Sequence, residues 1–118
     1  MGVERAVIVR PGEGEHFGNV EFLARSADTP RFNLGVITIQ PNREGPGSHV
    51  HGSEDDAFYM LEGELTFTVD GEEVVAGPGT FVLVPPGVEH AFANRGAAVA
   101  RFVNVHAPAG FDLRLKED

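Results

Sequence analysis

The chain of 118 residues contains no cysteine. Disulfides, thiolate metal sites and cysteine nucleophiles are therefore excluded, and nothing marks a redox compartment. Positive charge is scarce, with 9 Lys and Arg against 18 Asp and Glu, a formal net charge of -9 and a pI near 4.9. Such a chain repels a phosphate backbone, whose affinity for proteins rests on Lys and Arg releasing counterions, so nucleic acid is not expected as a partner. Long hydrophobic runs are also missing. No apolar stretch approaches the roughly 20 residues needed to cross a bilayer. Met1-Gly2-Val3-Glu4-Arg5 lacks a basic segment followed by an apolar core, and a soluble, cytoplasmic protein without a membrane partner is expected. Finally, no segment sustains an apolar period of 3.6 over about eleven residues, which predicts little helix.

What the chain has instead is punctuation. Its 15 glycines and 8 prolines separate short β-prone runs at roughly eight-to-twelve-residue intervals, the pattern of a β-sandwich or barrel. Strands are predicted over residues 3–10 around Ala6-Val7-Ile8-Val9, over Val20 to Ala24, over Phe32 to Gln40 and over Ala57 to Leu65. Leu65 to Val69 and Glu72 to Val75 flank Asp70-Gly71, a dipeptide that suits a type I′ hairpin turn. Thr80 to Val84 is a continuous apolar run expected to be buried, and Ala98 to His106 is the last strong strand before a charged tail, Phe111 to Asp118, expected to fray. No linker or repeat divides the chain, so residues 1–118 read as one domain with one core and one pocket.

The chemistry lies in the histidines. Residues two apart on a strand project to the same side, so His49 and His51 can offer imidazole nitrogens to one ion at about 2.0–2.1 Å. His90 follows the turn Pro85-Pro86-Gly87, with Phe92 and Asn94 on its face of the strand. A carboxylate from Glu54-Asp55-Asp56 can complete a mixed nitrogen and oxygen site for Fe, Mn, Ni, Co, Cu or Zn. His16, after Glu13-Gly14-Glu15, reads as a solvated loop residue. His106 shares a strand face with Phe102 and Asn104; it reads as an edge or surface histidine, with a place in the pocket as the alternative. Phe58, Met60 and Phe92 point inward with the ligands, as pocket wall or as ordinary core. Asn94 is expected to hydrogen-bond a turn.

These residues resemble the cupins, whose motifs are commonly written G-(X)5-H-X-H-(X)3,4-E-(X)6-G and G-(X)5-P-X-G-(X)2-H-(X)3-N. The second fits over 79–94 at every fixed position: Gly79, Pro85, Gly87, His90 and Asn94. The first fits in part over 43–63. His49, His51 and Gly63 match, but Asp56 stands in the glutamate position and Arg43 in that of the opening glycine. The fifteen residues between Gly63 and Gly79 resemble the shortest spacing between motifs in the family. The resemblance implies an all-β fold, a double-stranded β-helix or jelly-roll barrel of six to eight strands in two sheets. It also implies one divalent transition metal held by His49, His51, His90 and an acidic side chain. Asp56, one methylene shorter than glutamate, reaches that metal only if its strand sits closer or water bridges the gap; otherwise it is an outer partner of a ligand. Glu54, out of the motif's frame, is the substitute ligand considered.

Family resemblance and an open sheet edge both point to a homodimer. In function the chain resembles small quercetinase-like dioxygenases acting on a small-molecule substrate. The alternatives are Lewis-acid isomerase or cyclase chemistry, as in polyketide-modifying cupins, and a non-catalytic binding barrel. In either enzyme Asp56, if not bound to metal, is the candidate general base. Because the 118 residues hold only a barrel, a regulator is the less expected role.

Overall fold

The computed structural model describes residues 4–117, so Met1-Gly2-Val3 and Asp118, and with them one end of the predicted first strand and of the charged tail, lie outside the described residues. In chain order the elements are β1 (Glu15–Phe17), β2 (Val20–Ala24), β3 (Asn33–Ile39), β4 (Arg43–Glu44), β5 (Asp55–Glu62), β6 (Leu65–Val69), β7 (Glu72–Ala76), β8 (Phe81–Val84), β9 (His90–Asn94), β10 (Ala100–Ala107) and α1 (Phe111–Glu117). They form two antiparallel sheets, one ordered β1-β2-β3-β10-β5-β8 and the other β4-β9-β6-β7. This is the all-β double-stranded β-helix.

Strand alternation builds the interior. On β3, Asn33, Gly35, Ile37 and Ile39 are buried while the residues between them are half-exposed, and β10 buries Ala100, Phe102, Asn104 and His106 in the same phase. Period-two projection sends both sets to one side of the sheet. There they meet Phe58, Met60, Leu65, Phe67 and Phe92 from the other strands. The rings of Phe58, Phe67, Phe92 and Phe102 pack edge-on or tilted, with centroids 4.9–5.9 Å apart, the arrangement that aromatic quadrupoles favour. The polar end of β10, Asn104 and His106, continues the apolar face that Phe102 begins. One strand thus carries both core and site.

The hairpin between β6 and β7 turns at Asp70 (φ 50°) and Gly71 (φ 83°), both left-handed as a type I′ turn requires.

Elsewhere the structure departs from expectation. Residues 4–10 form no strand and join neither sheet, and Val7 and Ile8 are exposed. The apolar run at β8 is an edge strand with one inward face, so Val84 is buried while Phe81 and Leu83 are 61% and 52% exposed. Two short strands, β1 and β4, are too brief to show a period in sequence.

The tail is a helix. Its seven residues present too few turns to reveal a period, but Phe111 and Leu115 pack against the core. Asn33 of β3 caps it: its Oδ1 accepts the N–H groups of Gly110 at 3.0 Å and Asp112 at 3.3 Å, donors that a helix start otherwise leaves unpaired. Among the described residues no helix is long and apolar enough to cross a membrane.

Candidate metal centre

His49 and His51 do not lie on a continuous strand, contrary to expectation. The glycine-rich passage after β4 instead crosses the end of β9 and is tied there by backbone bonds. His49 and His90 exchange N–H to O=C bonds in both directions at 2.9 Å, and the Gly87 N–H donates to the His51 carbonyl at 2.9 Å. Gly87 has φ of 86°, a conformation that a side chain disfavours, so the Pro85-Pro86-Gly87 turn needs its glycine to bring His90 under His49.

The rings are then oriented from behind. The Gly47 carbonyl accepts from His49 Nδ1 at 2.8 Å, and the Val88 carbonyl accepts from His90 Nδ1 at 3.0 Å. Fixing the proton on Nδ1 leaves each Nε2 with its lone pair, the tautomer of a metal ligand. The ring centroids of His49, His51 and His90 lie 4.2–5.2 Å apart.

Asp56, at the start of β5, reaches this cluster. Asn104 Nδ2 donates to its Oδ1 at 2.8 Å, while Oδ2 lies 3.0 Å from His90 Nε2 and 3.2 Å from His51 Nε2. Ligand atoms of His49, His51, Asp56 and His90 all fall within 4.8 Å of one another.

This donor set fits a divalent ion. His51 Nε2 is buried without a hydrogen-bond partner, because its 3.2 Å approach to Asp56 lacks hydrogen-bond geometry. His90 Nε2 and Asp56 Oδ2 lie 3.0 Å apart in hydrogen-bond geometry, a bond that needs a proton on Nε2 in addition to the one the Val88 carbonyl holds on Nδ1. Acceptors facing one another in a buried site repel unless a cation lies among them. Two donors at right angles, each about 2.1 Å from one ion, stand about 3 Å apart, close to the 3.0 and 3.2 Å between Asp56 Oδ2 and the Nε2 atoms of His90 and His51. Three imidazoles and one carboxylate suit borderline transition metals.

The remaining candidates fall into place around it. His106 is buried, not a surface residue: β10 is flanked by β3 and β5, and His106 sits opposite Asp56 in register. Its Nε2 is 3.4 Å from Asp56 Oδ1, and its ring stacks on Phe111 at 4.0 Å. Burial lowers its pKa to about 4, against the opposing pull of Asp56 and Glu54, so at neutral pH the ring is uncharged. Glu54 is buried, pairs with Arg114 of α1 at 2.7 Å and stands 3.5 Å from His51 Nδ1, and its carboxylate forms a second group with His51 and His106 whose donor atoms fall within 4.8 Å of one another.

Phe58 and Phe92 line a cavity of about 410 Å³ that opens beside His49, His51 and Asp56. Met60 does not; it is core. Asn94 is buried at the end of β9, where it bonds the turn backbone. His16 is exposed, with Nε2 3.1 Å from the Gly12 carbonyl. Sequence reasoning missed Asn104, Phe111 and Arg114. Only Asn104 carried a signal, its two-residue phase with His106.

The fold and the site define a β-barrel with a histidine-rich metal cradle at the head of an apolar cavity. The Cupin domain family matches residues 35–106, and the chain belongs to that family. It is 27% identical over 110 residues to quercetin 2,3-dioxygenase of Bacillus subtilis (strain 168), covering 89% of this chain and 32% of that protein. Tetracenomycin polyketide synthase protein TcmJ of Streptomyces glaucescens is 37% identical over 70 residues, 59% of this chain and 46% of that one. The HTH-type transcriptional regulator PuuR of Escherichia coli (strain K12) is 27% identical over 84 residues, 70% of this chain and 45% of the regulator. The chain thus spans 32–46% of these relatives' lengths. Among solved structures, that of KdgF from Halomonas sp. shares the fold with a TM-score of 0.79, at 16% identity over 92% of this chain and 99% of that one.

Proposed function

We propose that the protein is a metal-dependent enzyme acting on a small organic substrate, with dioxygenase chemistry of the quercetinase type. The observation that carries this reading is the convergence of three imidazoles and the Asp56 carboxylate at the head of an apolar cavity. The likeness to quercetin 2,3-dioxygenase supports it. His49, His51, His90 and Asp56 would hold the ion, and a redox-active ion there would supply the Lewis acidity and electron transfer that oxygenation of a substrate's enolate or phenolate requires.

The chain's own residues set the rest. His49 and His90 are pre-oriented by carbonyls, so they bind without reorganising. Phe58, Phe92 and Phe111 wall the cavity, hold a planar substrate and exclude water. Asn104 fixes Asp56 Oδ1, leaving Oδ2 as the fourth donor. The same Oδ2 is the group placed to take a proton from a substrate hydroxyl, a role that excludes ligation. Asp56→Asn separates the two: loss of bound metal assigns a ligand, whereas retained metal with lost turnover assigns a base.

The similarity to TcmJ favours a second reading, in which a redox-inert ion polarises a carbonyl for cyclase or isomerase chemistry. The similarity to PuuR favours a third, a binding barrel without turnover. Elemental analysis of the purified protein, beside a His49→Ala/His90→Ala variant matched in fold by circular dichroism, distinguishes them. Near-stoichiometric Fe, Mn, Ni, Co or Cu, absent from the variant, together with oxygen uptake on flavonols or diketones, is the expected result. Zinc with cyclase turnover supports the second reading, and metal without any turnover the third. No metal bound at micromolar supply overturns the metal centre.

A further inference from the structure

The cavity has a second polar end. β4 pairs with β9 so that Arg43 stands opposite Asn94, four residues along the strand from His90. At about 3.3 Å per residue, the two positions are separated by about 13 Å. The ladder continues to Gly45, whose N–H donates to the Phe92 carbonyl at 3.0 Å. A Cβ on Gly45 would come within 2.8 Å of the Phe92 ring, so this phase of the passage turns toward the barrel, and Arg43 shares it as an exposed residue at the cavity mouth. Arg43 lines the cavity together with Gln40 and Thr38, while Phe92 and Ile39 line the wall between that end and the histidines.

Arg43 is also uncommitted. Arg25, Arg31, Arg95, Arg101, Arg114 and Lys116 each lie within ion-pair distance of a carboxylate. Among the described residues, no acid lies that close to Arg43. Its neighbour Glu44 also borders the cavity, but alternates with Arg43 along the ladder, and its charge acts on Arg95. In a chain of net charge -9, a free guanidinium at the rim of an apolar cavity is a local exception to a field that repels anions. A planar guanidinium takes a carboxylate in a bidentate pair. Arg43 is, moreover, the residue that replaces the glycine opening the family's first motif.

We propose that Arg43 forms a distal subsite for a carboxylate, so that the cavity selects an elongated substrate with an apolar body, a metal-binding oxygen at one end and an acidic group at the other. This rests on the reading of the histidine cluster as a metal centre and names the class of substrate that the centre serves.

The probes are 6-hydroxy-2-naphthoate, which has a hydroxyl and a carboxylate at opposite ends of a planar body, and 2-naphthol, which lacks the carboxylate. Their fluorescence is titrated with zinc-loaded and with EDTA-stripped protein. The parent is expected to prefer the naphthoate by about tenfold, the worth of one charged hydrogen-bonded pair. In Arg43→Gln the two probes should bind within about twofold of each other, and Arg43→Lys should keep part of the preference. No preference in the parent, no binding of either probe, or a preference that survives in Arg43→Gln would overturn the subsite. Zinc stoichiometry, measured separately, reports failure of the metal centre, and the stripped protein still reads Arg43 in that event.

Discussion

Asn94 closes the second motif without touching the candidate metal donors, and its removal has a calculable effect. The side chain is buried, and its Nδ2 faces three carbonyls, those of Ile39 at 3.0 Å, Gln40 at 3.2 Å and Ala98 at 2.9 Å, while its Oδ1 accepts the Gly96 N–H at 3.0 Å. An amide carries two N–H donors, so at most two of the three carbonyls are fully served at once, giving three bonds in all. At about 1 kcal/mol net for each, Asn94→Ala should cost about 3 kcal/mol. A domain of this size unfolds with an entropy near 0.25 kcal/mol/K, so the melting temperature should fall by about 12 °C. Asn94→Asp is the sharper variant. It keeps the shape but turns an acceptor toward three carbonyls, and at neutral pH it should destabilise more than alanine does. Thermal and urea melts followed by circular dichroism read both, with metal content measured alongside and expected to persist in whatever fraction remains folded. A fall below about 3 °C for either variant would show that the side chain does not hold the β3 end and the turn between β9 and β10 together, and the argument from those four contacts would fail.

His106 supplies a pH dependence in the metal-free protein. Its ordinary pKa is 6.5 and its folded value about 4, so as pH falls through 6.5 the unfolded chain takes up a proton that the folded one refuses. Stability should be fully present above pH 6.5, decline toward pH 4 by about 3 kcal/mol at 1.36 kcal/mol per unit, and change no further from this group below that. His106→Gln should flatten that part of the profile; an unchanged slope in EDTA-stripped protein would refute the assignment to His106. On the outer face of the larger sheet, Tyr59, Leu61, Phe81 and Leu83 are exposed, and β8 is its edge. An apolar face beside an open edge invites pairing, and we propose a homodimer through this surface. Sedimentation velocity should show a dimer for the parent and a monomer for Phe81→Glu/Leu83→Glu; a parent that sediments as a monomer at tens of micromolar refutes it.

The parts of this molecule that were legible beforehand are those where one residue type answers one local demand. Asp70-Gly71 announces its hairpin because few dipeptides accept two left-handed residues in succession. Val20–Ala24, Asn33–Ile39 and Ala100–Ala107 are readable because half-buried strands must alternate. Where a property depends on neighbours in space, the chain is silent. Phe81 to Val84 is as apolar as any core strand, and only its place at the sheet edge exposes half of it. Phe111 to Glu117 becomes a helix because Asn33, distant in sequence, caps it, and because Phe111 finds the His106 ring to stack on.

The site divides along the same line. The histidine spacing names His49, His51 and His90, but the reason they converge is a set of backbone bonds between His49, His51, Gly87 and His90 that no motif writes down. The aspartate in the first motif is the clearest case. As sequence it is a shortened ligand. In the fold it stands opposite His106 on β10, and Asn104 draws its Oδ1 back while Oδ2 comes within 3.0 Å of His90. The glutamate position therefore holds an aspartate whose reach is set by the strand beside it. Asn104 and Asp56 should behave as one unit: Asn104→Leu, which keeps the branched outline but removes the donor, should loosen metal binding in a parent background and have little further effect once Asp56 is asparagine. Additive losses in that double-mutant cycle would mean that Asn104 does not position the carboxylate.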